Sequence, residues 1–368
     1  MTGTAAIAAF AVIAFQASSP IRHAFYEMFL HLHIALAVLT VVFLWMHLDG
    51  KNQQSYLLAA IVTWAFVRFR RLFSFMRSSV GRQGTEALVE VLPGDAVRVS
   101  VSLARKVSVR PGSHMYLYIP SVGLWTSHPY SVVWSDTELP HRRNSFDSHD
   151  IEKHPLPSID PDPDGRQTLS AVIRRRTGFT DALYRKALKL GAVDGNKMAL
   201  NAFVETGYGL SQPVLFSCGT VLLFAGGVGI THQIPYVRAL VQGYANATAA
   251  ACRVVLVWVT QSPEHLEWIR PWMTQILAME KRREVLMVKV FITRPPNAKE
   301  VHSPSETVQM FPGRPDVWAL IRSEAEAGVG CLGVSVCGPG ELSDEVRRCV
   351  RRLGVRRNVE FVEESFGW

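Results

Sequence analysis

The sequence predicts a multidomain chain: N-terminal transmembrane helices, then a small antiparallel β-barrel, then an α/β domain built on a parallel sheet. Three observations predict it. Long apolar runs are concentrated before residue 68, a period-two alternation about a Pro-Gly-Asp turn follows, and beyond residue 213 apolar strands alternate with helical segments. With 368 residues, 48% of them hydrophobic, the chain can bury the cores of two or three domains. The net charge of +8 suits anionic lipid or phosphorylated cofactors. No basic stretch is interleaved with aromatics, so no nucleic-acid partner is expected. The five cysteines are odd in number and form no CxxC, which argues for a reduced compartment and against structural zinc.

The membrane segment comes first, over residues 1–76. Residues 3–17 are apolar. Residues 28–46 are apolar apart from His31, His33 and Thr40. Residues 56–67 form a third run, closed by Arg68, Arg70, Arg71 and Arg77. A span takes about 20 apolar residues, so three spans are expected. The positive-inside rule puts the arginine cluster, and the domains that follow it, in the cytosol. His33 and His47 lie fourteen residues apart. On a helix that is roughly 40° short of four turns, with about 21 Å of rise, so both imidazoles share one face at different depths. Histidine within a span is costly, and imidazole is a common axial ligand of haem iron. His33 and His47 are therefore candidate metal ligands; the alternative is an interfacial His47 and a packing His33. A haem held by two histidines needs a matching pair on a second helix, and His23 has no partner fourteen residues on.

The barrel is expected over 77–212. "ALVEVLPGDAVRVSVSLA" reads as a hairpin, "SVRPGSHMYLYIPSVGLW" repeats the pattern, 168–174 is a further strand and 180–190 a helix. Residues 137–167, rich in Pro, Asp, Ser and His, read as a flexible surface insertion. Its His141, His149 and His154 read as solvated rather than metal-binding. His128-Pro129-Tyr130-Ser131 places a proline inside a β-type run. A central strand tolerates that poorly, so Pro129 is expected to end ladder pairing and to turn Tyr130 and Ser131 toward a ligand. The alternative is an edge turn.

The α/β domain is expected over 213–368. "TVLLFAGGVGITHQIPYVRALV" is a strand, a glycine turn and a helix; "RVVLVWVT", "LMVKVFIT" and "LGVSVCGPG" are further strands closing in turns. Such alternation gives a parallel sheet whose ligands bind at the carboxyl ends of its strands. Gly226, Gly227 and Gly229 lie at one of those ends and would let a phosphate reach backbone N–H groups. The spacing is not GxGxxG, so a tight strand–helix turn is the alternative.

Taken in order, these motifs resemble the ferric reductase and NADPH oxidase superfamily, most of all the fungal ferric-chelate reductases. His33 and His47 match the haem-ligand pair, HPYS the flavin-binding HPF(S/T), and "RRRTGFT" at 174–180 the flavin-domain segment after it. "VETGYG" at 204–209 is similar to the loop before the nucleotide domain, "AGGVGIT" to the NADPH pyrophosphate loop, "CGPG" at 337–340 to the nicotinamide-side turn, and "EESFGW" to the aromatic C-terminus. The resemblance implies a ferredoxin reductase-like pair: an FAD-binding β-barrel domain and a Rossmann-like NADP-binding domain. It implies FAD, NADPH and haem b as cofactors.

Residue by residue, the resemblance implies that Tyr130 packs on the isoalloxazine and that Ser131 hydrogen-bonds near its reactive edge, with His128 and Pro129 shaping the turn. Arg174 takes the FAD pyrophosphate, and Thr180 caps the adjacent helix or contacts the flavin phosphates. Gly226, Gly227, Gly229, Ile230 and Thr231 hold the NADPH pyrophosphate. Cys337, Gly338 and Pro339 border the nicotinamide, and Phe366 covers the flavin face. Ser131, Cys337 and Phe366 are the candidate catalytic residues. Thr206-Gly207 stands where relatives carry Gly-Pro. Gln261 stands where relatives often carry arginine, leaving Arg294 as a substitute for a 2′-phosphate contact. The implied activity is membrane-bound reduction of external ferric or cupric chelates, at the plasma or the vacuolar membrane. The alternatives are a superoxide-forming NADPH oxidase and a haem-deficient flavoprotein diaphorase or remnant. The single histidine pair implies a chain that begins at the family's late spans, an N-terminally truncated copy, with another chain supplying the missing helices.

Overall fold

A computed structural model describes residues 2–18, 26–79, 84–123, 126–136, 166–191, 197–209, 211–295, 303, 305–354 and 358–364. The chain divides into two compact units, Met1–Met76 and Arg77–Trp368.

Among the described residues the first unit contains three helices: α1 (Thr2–Gln16), α2 (Tyr26–His47) and α3 (Gln54–Ser79, which runs past its boundary). Among the described residues one stretch, Met28–His47 of α2, is long and apolar enough to cross a membrane. Helices stand over all three of the apolar runs from which spans are expected. The fifteen residues of α1 reach about 22 Å, short of a hydrocarbon core of about 30 Å. The second half of α3 carries Arg68, Arg70, Arg71 and Arg77. The apolar helices keep their hydroxyls satisfied internally: Thr40 donates to the Leu36 carbonyl and Thr63 to that of Ala59, both at 2.8 Å. Gly3 of α1 lies against the His47 imidazole, where a Cβ would come within 3.0 Å.

The second unit opens with two antiparallel sheets around one core. The five-stranded sheet has the order β5-β6-β2-β1-β7 and the three-stranded sheet the order β4-β3-β8. Their strands are β1 (Glu86–Leu92), β2 (Ala96–Ser102), β3 (His114–Tyr118), β4 (His128–Ser131), β5 (Trp134–Asp136), β6 (Thr168–Arg174), β7 (Lys197–Asn201) and β8 (Phe203–Tyr208), with helix α4 (Phe179–Gly191) between β6 and β7. The β1–β2 hairpin forms as read, closing through Gly94 and Asp95, both at positive φ. The second alternating segment differs: it supplies one strand, β3, whose partners are β4 and β8. Val89, Val97, Val99, Val101, Met115, Leu117, Leu169 and Ile173 fill the space between the sheets. Much of the 137–167 insertion lies outside the described residues, His141, His149 and His154 included.

Pro129 corrects a second expectation. It stays within the ladder, opposite Tyr116, and β4 pairs with β3 along its whole length. The proline is tolerated because β4 is the edge of its sheet, where a missing N–H costs no pairing on the open side.

The parallel sheet follows, in the order β12-β11-β10-β9-β13-β14. Its strands are β9 (Thr220–Gly226), β10 (Arg253–Thr260), β11 (Leu286–Ile292), β12 (Val308–Pro312), β13 (Leu332–Cys337) and β14 (Val359–Glu364). Helices α5 (Ile230–Ala245), α6 (Arg270–Leu277), α7 (Val317–Ala327) and α8 (Gly340–Leu353) connect them. Every residue of β9 and β13 is buried, as expected of central parallel strands covered on both faces.

The barrel and the parallel sheet share buried contacts. Trp268 is fully buried and donates its indole N–H to the Pro93 carbonyl at 2.8 Å. Arg98 pairs with Glu90 at 2.8 Å, donates to the Glu267 carbonyl at 2.9 Å and lies over the Trp272 ring. Arg238 of α5 sits 3.9 Å over Trp134 and donates to the Ser135 carbonyl. These contacts fix the barrel against the strand ends of the sheet.

Candidate functional site

The glycine turn is built at the junction of two adjacent strands. β9 ends at Gly226, residues Gly227–Gly229 make one 3₁₀ turn, and α5 begins at Ile230. On the neighbouring strand, Cys337 stands opposite Ala225, and Gly338 and Pro339 lead into α8. A Cβ on Gly226 would strike Pro339, and one on Gly229 would strike the Cys337 carbonyl. Both glycines therefore exist to let two turns pack together. Gly227 differs: its φ is +54° and open space lies where its Cβ would be. Its carbonyl is held by the Trp258 indole N–H at 3.0 Å, and Thr231 donates its hydroxyl to the Val228 carbonyl at 2.8 Å. The turn thus presents one open backbone position beside a helix N-terminus, which suits a phosphate. The Thr231 hydroxyl is spent inside the turn. Gly227→Ala is expected to cost about 1 kcal/mol through left-handed strain and to leave a folded protein with roughly tenfold weaker dinucleotide binding. Thermal melts and NADPH titration check it.

The HPYS strand is paired with β3. Ser131 pairs with His114, and His114 pairs on its other side with Tyr208 of β8. The His114 ring stacks on Tyr208, whose hydroxyl donates to the buried Glu205 at 2.5 Å. Tyr130 packs at the margin of the barrel core, and its hydroxyl is buried without a hydrogen-bond partner. Burial drives that phenol's pKa well above its usual value. His128 lies 3.2 Å from the Thr126 hydroxyl, and its ring is 4.5 Å from that of Phe179, the first residue of α4.

Just before α4 stand three consecutive arginines. Arg175 is taken up by Asp181 at 2.7 Å and Asp95 at 3.5 Å, and it covers the Tyr184 ring. Arg174 and Arg176 make no ion pair among the described residues, so two guanidiniums remain for an anion at the N-terminus of α4. Thr180 neither caps the helix nor stands free. It accepts the Arg176 N–H at 2.9 Å and donates to the Thr177 carbonyl, fastening the loop that carries the arginines. Arg174→Ala is expected to weaken FAD retention about tenfold and to leave the melting temperature within about 2 °C, as a surface charge-contact change should. Flavin release by ultrafiltration tests this.

Two site residues were not singled out from sequence. His232, in the first turn of α5, is 4% exposed, and its Nε2 has no hydrogen-bond partner. Its pKa is pushed down to about 4, first by burial and then by the nearby His114. His232, just after the glycine turn, thus stands within electrostatic range of His114, on the strand that pairs with HPYS. A histidine directly after the glycine turn was the available signal. Trp258 is the second. Cys337 is fully buried, and desolvation, with Glu364 next to it in register, drives its thiol pKa up. It is a neutral thiol, suited to lining a pocket rather than to attack. The Arg294 N–H donates to the Gln261 carbonyl at 3.0 Å, so both lie at adjacent strand ends. VETGYG forms most of β8 rather than a loop. Phe366 lies outside the described residues. His33 and His47 share α2, as the spacing required, with the His33 Nδ1 buried and unpartnered. Among the described residues no cluster of three or more histidine, cysteine or acidic side chains could hold a metal ion.

Comparison with known proteins matches two family models. Residues 82–141 match an FAD-binding domain, and residues 218–303 and 296–351 match the ferric reductase NAD binding domain. The chain is 27% identical over 278 residues to "Probable cell surface ferric reductase kap2" of Aspergillus oryzae, covering 73% of this chain and 33% of that one. It is 24% identical over 403 residues to ferric reductase transmembrane component 3 of Saccharomyces cerevisiae, covering 100% of this chain and 50% of that one. The chain thus spans a third to a half of the length of these relatives. Among solved structures, a ferredoxin NADP+ reductase from Neisseria gonorrhoeae with bound FAD and NADP aligns at a TM-score of 0.47 with 14% identity, covering 77% of this chain and 98% of that one.

Proposed function

For a chain that carries an FAD-binding domain and a ferric reductase NAD-binding domain and is related to the fungal ferric reductases, we propose an NADPH-dependent flavoprotein reductase. In this reading it forms the cytosolic electron-input half of a membrane-bound ferric- or cupric-chelate reductase. The observation that carries the reading is the link between His232, beside the glycine turn, and His114, the register partner of Ser131. In this reading it brings the dinucleotide turn and the flavin strand into one site.

The residues fit both nucleotides. The open backbone at Gly227 and the N-terminus of α5 suit the NADPH pyrophosphate, with Arg294 exposed for a 2′-phosphate. The unpartnered hydroxyl of Tyr130 marks a place built for more than barrel packing. Arg174 and Arg176 would hold the FAD pyrophosphate, Ser131 would hydrogen-bond near the reactive flavin edge, and Cys337 and Gly338 would border the nicotinamide. Phe366 would cover the flavin face. FAD, when bound, converts a two-electron hydride into single-electron delivery, which ferric and cupric acceptors require.

Haem b fits less well. α2 offers one histidine pair, and a haem held by two histidines needs a second helix with its own. His33 and His47 would hold the group from one side, with the matching pair on a further helix. The second reading is a membrane-anchored diaphorase without haem.

The test uses the full chain in detergent with FAD and NADPH. Retained flavin bleached by NADPH, with reduction of a ferric chelate, is the expected result. Failure to retain flavin, or no bleaching, would sink the proposal. A Soret band separates the haem-bearing reading from the diaphorase, and superoxide in excess of ferrous product would point to an oxidase.

A further inference from the structure

Two of the five cysteines form a pair far from the site. Cys218 precedes β9 and Cys331 precedes β13, at the opposite end of the sheet from the glycine turn. They are 113 residues apart in sequence, yet their sulfurs are 2.8 Å apart. The strands are adjacent and parallel, with Thr220 opposite Leu332, and the Thr220 N–H donates to the Cys331 carbonyl. Neighbouring strands lie about 4.8 Å apart, within the span a disulfide bridges. Gly333 leaves room: the nearest atoms to a Cβ placed there are Leu215 at 3.1 Å and the Cys218 side chain at 3.3 Å. The other cysteines take no part: Cys252 is exposed and donates to the Ala250 carbonyl, Cys337 is buried at the site, and Cys349 lies on α8.

We propose that Cys218 and Cys331 are a reversible dithiol–disulfide site, oxidised by hydroperoxides at Cys331 and closed by Cys218. The roles follow from their surroundings. Cys218 is 1% exposed and donates its S–H to the Cys331 sulfur, whereas Cys331 is only partly buried. Burial, and then the Cys331 contact, push the Cys218 thiol up to about 12, so it stays protonated. Cys331 is the more exposed of the two sulfurs and the one a peroxide can reach, so it is the nucleophile. Its thiolate attacks a peroxide oxygen: an S–O bond forms, the O–O bond breaks, and hydroxide (or an alkoxide) leaves with the electron pair. The Cys218 sulfur then displaces the hydroxyl of Cys331–SOH; its proton leaves with that hydroxyl as water, and the S–S bond forms. Both thiols are oxidised and one peroxide is reduced. A thiol reductant restores the pair. The bond would fasten the entrances of β9 and β13, the two strands whose far ends carry the glycine turn and the Cys337–Pro339 turn.

The test treats the full chain in detergent with hydrogen peroxide and counts thiols under denaturing conditions. The expected result is a fall from five thiols to three, a Cys218–Cys331 peptide on mapping, and full recovery with dithiothreitol. In Cys218→Ser the intermediate has no resolving thiol, so a dimedone adduct should accumulate on Cys331 at least tenfold above the parent chain. In Cys331→Ser neither disulfide nor adduct should form at Cys218. Retention of five thiols, pairing of Cys331 with another cysteine, or equal dimedone labelling in parent and Cys218→Ser would overturn the proposal.

Discussion

Alanine at Gly229 is expected to abolish dinucleotide-dependent activity and to cost about 3 kcal/mol or more of stability, the upper range for overpacking a rigid site. The reason is what the added methyl would meet. It would strike the Cys337 carbonyl, and that atom belongs to a backbone which cannot rotate aside. β13 is buried along its whole length and hydrogen-bonded to β9 and β14, so the carbonyl cannot retreat without breaking a ladder. The strain then passes along the second turn to Gly338, whose own Cβ position lies 2.9 Å from the Gly226 backbone. Both turns of the site move together. Gly227→Ala makes the contrasting control, since that position has open space and suffers strain alone. A large loss of melting temperature and of NADPH binding in Gly229→Ala, beside a small one in Gly227→Ala, checks the assignment. Equal effects of the two substitutions would mean that the glycines serve the ligand alike.

The division among these glycines shows where sequence reading stops. GGVGIT announced a strand, a turn and a helix, and the buried run before it announced a central strand. Which glycine faces a ligand depends on what the fold brings from Cys337–Pro339, more than a hundred residues away. HPYS behaved in the same way. The motif announced a proline within a β-type run, while its tolerance came from the edge position of β4, a property of strand order that no local pattern encodes. The strands 86–102 and 168–174 were legible because alternation and a Pro-Gly-Asp turn are local signals. The spacing of His33 and His47 was legible because a helix has a fixed pitch. The extent of the spans was less so, since the apolar run of α1 is shorter than a bilayer and α3 shades from apolar to basic.

His232 is the residue that sequence left unmarked, and it is expected to make the protein acid-sensitive. Its pKa falls from about 6.5 in the unfolded chain to about 4 in the folded one. Between those values the unfolded chain binds a proton that the folded chain does not, so stability declines as pH drops from 6.5 toward 4 and levels off below. A shift of that size corresponds to about 3 kcal/mol. Of the groups around it, His114 adds to this loss and Glu364, whose raised carboxyl pKa works the opposite way, offsets part of it in parent and variant alike. His114, from β3, is itself pushed down by burial and adds repulsion when charged. Tyr236 packs nearby as a neutral phenol, with burial and Glu364 holding its pKa up. The Glu364 carboxyl is held up by burial, so it too turns neutral early as acid is added, and Cys337 stays a neutral thiol. His232→Gln keeps a polar side chain without the titration. Denaturant melts at pH 7 and pH 4.5 should show the parent chain losing about 2 to 3 kcal/mol more than this variant across the interval. If both lose the same, the imidazole of His232 is charged or solvated in the folded protein, and the link it makes between the glycine turn and the HPYS strand must be redrawn.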